Sequence, residues 1–127
     1  RGCVFYVEDN AANLVLMKAI FGRAGGIELL SATSAEEALP RIADCRPDLV
    51  LMDIDLPGMN GAEALAALRS APETSAIPVI AVSALSMPDQ VQSALAKGFD
   101  AYITKPLDVN EILAMVAEHI PDSATAG

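Results

Sequence analysis

Five polar positions of this chain stand where an apolar run gives out. Glu8 and Asp9 follow the run at residues 3–7, Asp53 closes Leu49–Asp53, Ser83 closes residues 78–83, and Lys105 comes just after Ala101–Thr104. If those ends meet, three carboxylates share a small space and repel one another, and a hard divalent cation with oxygen ligands removes that repulsion. Magnesium suits such a set, because it keeps several waters and prefers few protein carboxylates together with a phosphate oxygen. Asp9 and Asp53 are then its direct ligands, and Glu8 acts through water. Lys105 adds a positive charge able to pair with Asp53 and afterwards with a phosphoryl oxygen, while Ser83 offers a neutral hydroxyl donor.

The elements that would bring these ends together can be read from the same sequence. Residues 3–7, Ile27–Ala32, Leu49–Asp53, residues 78–83 and Ala101–Thr104 are short β-branched or apolar runs bounded by polar or Gly/Pro punctuation, and they read as five strands. Helical periodicity fills the intervals. In the first, Asn13, Leu16, Met17, Ile20 and Ala24 share one face, Leu14, Val15 and Lys18 point away, and Gly25 and Gly26 end the helix. Ser34 with Glu37, and Asp108 with Glu111, have capping-box spacing that starts helices near Ala35 and Val109, although Pro40 counts against the first of these. Two further helices are expected at residues 62–69 and 89–97, the latter closed by Gly98. The result is βα repeated five times, an α/β chain with a parallel sheet covered on both faces. Ligands bind such sheets beyond the carboxyl ends of the strands, which is where the five polar positions fall.

Length and composition narrow the function classes. A chain of 127 residues with 53% hydrophobic residues suits one domain, expected over residues 1–122 with a frayed tail at 123–127. A formal charge of −9 disfavours direct contact with nucleic acid. No apolar run approaches the roughly 20 residues that cross a bilayer, so no membrane contact by this domain is expected. Cys3 and Cys45 lack metal-ligand spacing, and the apolar setting of Cys3 favours a buried thiol, consistent with a reducing cytoplasm. The start at Arg1 instead of Met suggests a piece of something longer.

These residues resemble the response-regulator receiver family of two-component signalling, over about residues 4–120. The pair Glu8 and Asp9 is similar to that family's metal site. Asp53, in the run Leu-Met-Asp-Ile-Asp-Leu-Pro-Gly-Met-Asn-Gly, resembles its phosphoacceptor. Lys105 before Pro106 resembles its invariant lysine with a cis-proline bond. The intervals from Asp53 to Ser83, Tyr102 and Lys105 match the family's hydroxyl switch, aromatic switch and phosphate-binding lysine. Glu8 replaces a commoner aspartate and Ser83 a commoner threonine, both conservatively. The stretches Val-Glu-Asp-Asn and Gly-Phe-Asp-Ala-Tyr-Ile-Thr-Lys-Pro-Leu are most like receivers of hybrid histidine kinases or single-domain regulators.

The resemblance implies a flavodoxin-like, doubly wound five-stranded sheet in the order 2-1-3-4-5. It also implies magnesium-dependent transfer from a phosphohistidine to Asp53, assisted by Lys105 and Ser83, in a phosphorelay with a histidine kinase or histidine phosphotransfer protein. The domain would catalyse its own phosphorylation and dephosphorylation. Asp55 joins Glu8, Asp9 and Asp53 among the metal-site residues, and with Leu85 it occupies a position that tunes hydrolysis. Ser83 and Tyr102 form the switch. Leu14, Val15, Pro106 and Leu107 are the expected docking surface for the partner. A cytoplasmic location follows, either free or tethered through a membrane-bound kinase, and a phosphorylation-dependent dimer is compatible with the family.

Each residue also has a plainer reading. Asp9 can cap the first helix, a strand-end hydroxyl such as Ser83 can be merely satisfied, Tyr102 can be a core aromatic, and scattered surface apolar residues need no explanation. The coincidence of Glu8, Asp9, Asp53 and Lys105 at one rim is what lifts the set above such readings. Asp53-Ile54-Asp55 also matches the Asp-x-Asp of haloacid-dehalogenase-type phosphohydrolases, but that motif belongs after a first strand and needs further acidic motifs. A flavin module of the same topology would carry a phosphate loop where Glu8 and Asp9 stand, and they would repel it. A degenerate, binding-only receiver is disfavoured by the complete acidic set.

Overall fold

Strand and helix alternate five times in the computed structural model, which describes residues 2–24, 26–55, 58–59, 61–84 and 87–120. The order is β1 (Gly2–Val7), α1 (Ala11–Ala24), β2 (Ile27–Ala32), α2 (Ala35–Cys45), β3 (Leu49–Asp53), α3 (Gly61–Ser70), β4 (Val79–Ser83), α4 (Pro88–Lys97), β5 (Ala101–Thr104) and α5 (Val109–His119). Every strand pairing is parallel, and the sheet runs β2-β1-β3-β4-β5. This is the expected flavodoxin-like order. Gly25, Leu56, Pro57, Asn60, Leu85 and the tail at 123–127 lie outside the described residues.

Because successive strand residues point to opposite faces, the central strands are apolar throughout and each feeds two cores. Phe5, Val7, Val50, Met52, Val79 and Ala81 pack under α2, α3 and α4. Val4, Tyr6, Leu49, Leu51, Ile80 and Val82 pack under α1 and α5 with Met17, Ile20, Ile112 and Val116. Among the described residues no helix is long and apolar enough to cross a membrane.

The caps follow the sequence. Ser34 Oγ accepts from the Glu37 N–H at 3.1 Å and Asp108 Oδ1 from the Glu111 N–H at 3.0 Å. The Glu37 carboxylate reaches back to the Thr33 N–H, one residue before the cap. Pro40 lies inside α2 without ending it: the helix continues because Ala35, Ala38 and Ile42 bury its inner face. Cys3 is half-buried and Cys45 exposed, both as free thiols, so the expectation of burial holds only in part.

On α1 the expected buried face is corrected. Leu14 is half-buried and packs against the core, whereas Leu16 is 39% exposed. The buried line is pulled toward Phe21, at i+4 from Met17, and Leu14 lies on that line. An apolar helix with Ala11, Ala12, Val15 and Ala19 on its exposed side offers too little contrast for periodicity to fix its rotation.

Candidate functional site

The carboxyl ends of the adjacent strands β1, β3, β4 and β5 lie side by side, and they carry Glu8, Asp9, Asp53, Ser83 and Lys105 to one rim. Two backbone bonds fix the relative height of these strands: Ile54 N–H donates to Val82 O at 3.1 Å, and Lys105 N–H to Ser83 O at 2.8 Å. The Lys105–Pro106 peptide is cis. Behind Asp53 the chain turns closely. A Cβ on Gly61 would come within 2.6 Å of Ile54 Cα, so only glycine lets α3 start against the residue that follows Asp53.

Glu8, Asp9 and Asp53 each offer a carboxylate oxygen, and these oxygens lie within 4.8 Å of one another. Glu8 and Asp53 are buried and Asp9 is exposed, so the group opens to solvent on the Asp9 side. One cation balances the buried pair: Lys105 Nζ lies 3.0 Å from Glu8 Oε1 and 3.1 Å from Asp53 Oδ2. Asp53 Oδ1 accepts from the Asp55 N–H at 2.8 Å. Two buried negative charges against one ammonium leave an excess that a hard, oxygen-seeking cation fits.

The charge balance appears in the proton affinities. Burial, followed by the neighbouring Glu8, pushes the Asp53 carboxyl up to about 6, against the pull of the Asp55 N–H and Lys105. Burial also works to raise Glu8, but hydrogen bonds with Asp53, Tyr6 and Lys105 outweigh it and hold Glu8 below the usual range. Lys105 loses some affinity to burial and regains more from the two carboxylates, so it stays firmly charged. A proton entering the pair therefore settles on Asp53.

The remaining sequence candidates are distributed around this centre. Ser83 is fully buried and its hydroxyl donates to Asp55 Oδ2 at 2.9 Å. Asp55 was grouped with the metal residues by sequence, yet its carboxylate is turned toward Ser83. Tyr102 pairs in register with Ala81, two residues back from Ser83, and it is half-buried beside a cavity of about 280 Å³ shared with Ile54, Ala94 and Phe99. Val15 and Pro106 are exposed, whereas Leu14 and Leu107 pack partly into the α1/α5 core.

Three residues at the site were not singled out for it by sequence. Tyr6 is buried with its hydroxyl donating to Glu8 Oε1 at 2.8 Å, and Asn13 Nδ2 donates to the same oxygen at 3.3 Å. The Asn10 N–H reaches Glu8 Oε2 at 3.3 Å, and the Asn10 side chain caps α1 through the Asn13 N–H. A signal for Tyr6 existed: residues i and i+2 of a strand share a face.

Comparison with known proteins agrees with this geometry. The model of the response regulator receiver domain family matches residues 4–117. The polar-differentiation response regulator DivK of Brucella anthropi is 36% identical over 120 residues, covering 94% of this chain and 97% of that protein. The signal receiver domain of a signal transduction histidine kinase from Syntrophus aciditrophicus superposes with a TM-score of 0.85 at 29% identity, over 96% of this chain and 92% of that one. The receiver domain of the sensor histidine kinase PA1611 from Pseudomonas aeruginosa PAO1 shares the fold at a TM-score of 0.86 and 24% identity, over 94% and 98% of the two chains. It holds a coordinated magnesium ion in its active site cleft.

Proposed function

We propose that Asp53 is the phosphoryl acceptor of this chain, which belongs to the response regulator receiver domain family and is a receiver domain of two-component signalling. The observation that supports this assignment is the Lys105 ammonium lying between Glu8 and Asp53, beside a third carboxylate that opens to solvent. The donor is a phosphohistidine on a histidine kinase or histidine phosphotransfer protein, or a small acyl phosphate. A carboxylate oxygen of Asp53 bonds to phosphorus as the bond to the donor breaks, and the electron pair leaves with the donor. Such transfer needs positioning and charge neutralisation more than covalent help.

Each side chain has a part in that step. Magnesium would be held by Asp9 and Asp53 directly and by Glu8 through water, and when bound it supplies positive charge against the phosphoryl oxygens. Lys105 exchanges its contact with Asp53 Oδ2 for a phosphoryl oxygen. Ser83 turns its hydroxyl from Asp55 to the new charge, and Tyr102 moves inward to alter the surface around β5. Asp55 acts by competing for Ser83, and water attacking in line resets the domain.

The partner carrying the histidine must cover the rim where α1 begins. Val15, Leu16 and Pro106 are its apolar contacts, with Leu14 and Leu107 supporting them from below. A cytoplasmic location accords with this reading, since that is where such partners present their phosphohistidines. The experiment is incubation with a phosphorylated histidine protein followed by peptide mapping. A phosphoryl group on the peptide containing Asp53 is expected; one on any other residue, or multiple turnover on a simple phosphate ester, would overturn the assignment.

A further inference from the structure

We propose that Tyr6 is a positioning residue of this site, acting through Glu8 to keep Lys105 available to Asp53. The proposal rests on the phosphoacceptor reading above. Tyr6 is fully buried on β1, on the face it shares with Val4, Met17, Ile20 and Ile103. A phenol among aliphatic side chains loses its water, and its hydroxyl must find a partner or cost stability. Phe or Leu would fill the volume without that liability. The hydroxyl has a definite target: it donates to Glu8 Oε1 at 2.8 Å, the shortest contact that oxygen receives.

Glu8 Oε1 is shared by three donors. Besides Tyr6 it receives Lys105 Nζ at 3.0 Å and Asn13 Nδ2 at 3.3 Å. Lys105 in turn divides its ammonium almost equally between Glu8 Oε1 and Asp53 Oδ2. Remove the phenol hydroxyl, and Glu8 becomes a buried carboxylate with one strong donor fewer, so it draws Lys105 toward itself and away from Asp53. The Tyr6 hydroxyl is neutral and rigidly placed. It satisfies Glu8 without adding charge and fixes Oε1, while Oε2 accepts from the Asn10 N–H at 3.3 Å.

Tyr6→Phe tests this, since it keeps the ring and removes one oxygen. Two quantities are read: magnesium affinity by calorimetry with the metal alone, and the rate of labelling by acetyl phosphate. Labelling at saturating magnesium should slow by on the order of fivefold or more, the loss of a hydrogen bond to a charged group, while magnesium affinity should not weaken, because Lys105 then offsets less of the Asp53 charge. A residue that merely packs would give the same result in any background, so Tyr6→Phe is repeated in a Glu8→Asp chain, whose shorter carboxylate withdraws from the phenol. There the Tyr6→Phe effect should vanish, and the cycle is non-additive. An unchanged labelling rate or weakened magnesium binding in Tyr6→Phe, or equal effects in both backgrounds, would overturn the proposal. Failure of the wild-type chain to be labelled at all would instead remove the phosphoacceptor reading on which it stands.

Discussion

The Ser83 hydroxyl donates to Asp55 Oδ2 at 2.9 Å, so the side chain expected to greet a phosphoryl group is directed at a carboxylate beforehand. Switching then requires exchanging one charged acceptor for another, and Asp55 stabilises the resting arrangement. Asp55→Ala removes that competitor together with a negative charge near the incoming group. Its affinity for beryllofluoride with magnesium should rise by on the order of tenfold. Equal or weaker binding would show that Asp55 does not hold the switch.

Asp53 carries an unfavourable charge in the resting domain. Its carboxyl is raised to about 6 by burial and by Glu8, above its ordinary value, so the folded state binds this proton more tightly than the unfolded chain does. The stabilising contribution is complete below the unfolded value and is lost as pH rises through the folded one. In Asp53→Asn that loss disappears. The melting-temperature advantage of Asp53→Asn over wild type should therefore grow from about pH 5 to about pH 7, reaching a few degrees. An advantage that shrinks over that range would contradict the charge balance described for Glu8, Asp53 and Lys105.

Much of this was legible in the sequence because local signals and long-range requirements agree. Leu49–Asp53 reads as a strand from its residues alone, and burial of all five on both faces explains why it has no polar alternation. Ser34 and Asp108 announced α2 and α5 through side chains that act within one turn. Asp53 and Lys105 could be linked because the sheet order brings distant strand ends together. What stayed hidden depended on side-chain direction. The rotation of α1 was obscured by apolar residues on both of its sides, and only packing against Phe21 settles it. The Asp55 carboxylate could have faced solvent, metal or Ser83, and no spacing rule decides among them. The role of Tyr6 is not legible in the sequence, since a buried strand aromatic does not announce where its hydroxyl points.

Lys105 is the one cation in contact with the buried pair among the described contacts. Lys105→Ala leaves Glu8 and Asp53 facing each other without it, so the metal-free domain should melt lower and recover most of the loss in millimolar magnesium. Labelling by acetyl phosphate should slow by on the order of a hundredfold, since a positioned donor to the transferring group is gone. A labelling rate within a factor of about two of wild type would exclude Lys105 from that role.

Partner docking and chemistry can be separated on α1. Val15 is 67% and Leu16 39% exposed, and neither belongs to the acidic cluster. The double substitution Val15→Ser with Leu16→Ser should slow transfer from the cognate phosphohistidine protein by roughly tenfold or more, as loss of apolar interface contacts does. Labelling by acetyl phosphate should be unaffected. If both rates fall equally, or neither falls, this face is not the docking surface.

The assignment of Asp53 is tested most directly by intact mass after incubation with acetyl phosphate and magnesium, comparing wild type with Asp53→Asn. The amide keeps the shape of the side chain and removes the nucleophile. Wild type should gain the mass of one phosphoryl group, and should lose that gain when magnesium is chelated, while a folded Asp53→Asn chain gains nothing. A phosphoryl mass persisting on folded Asp53→Asn, or absent from wild type in magnesium, would contradict the account.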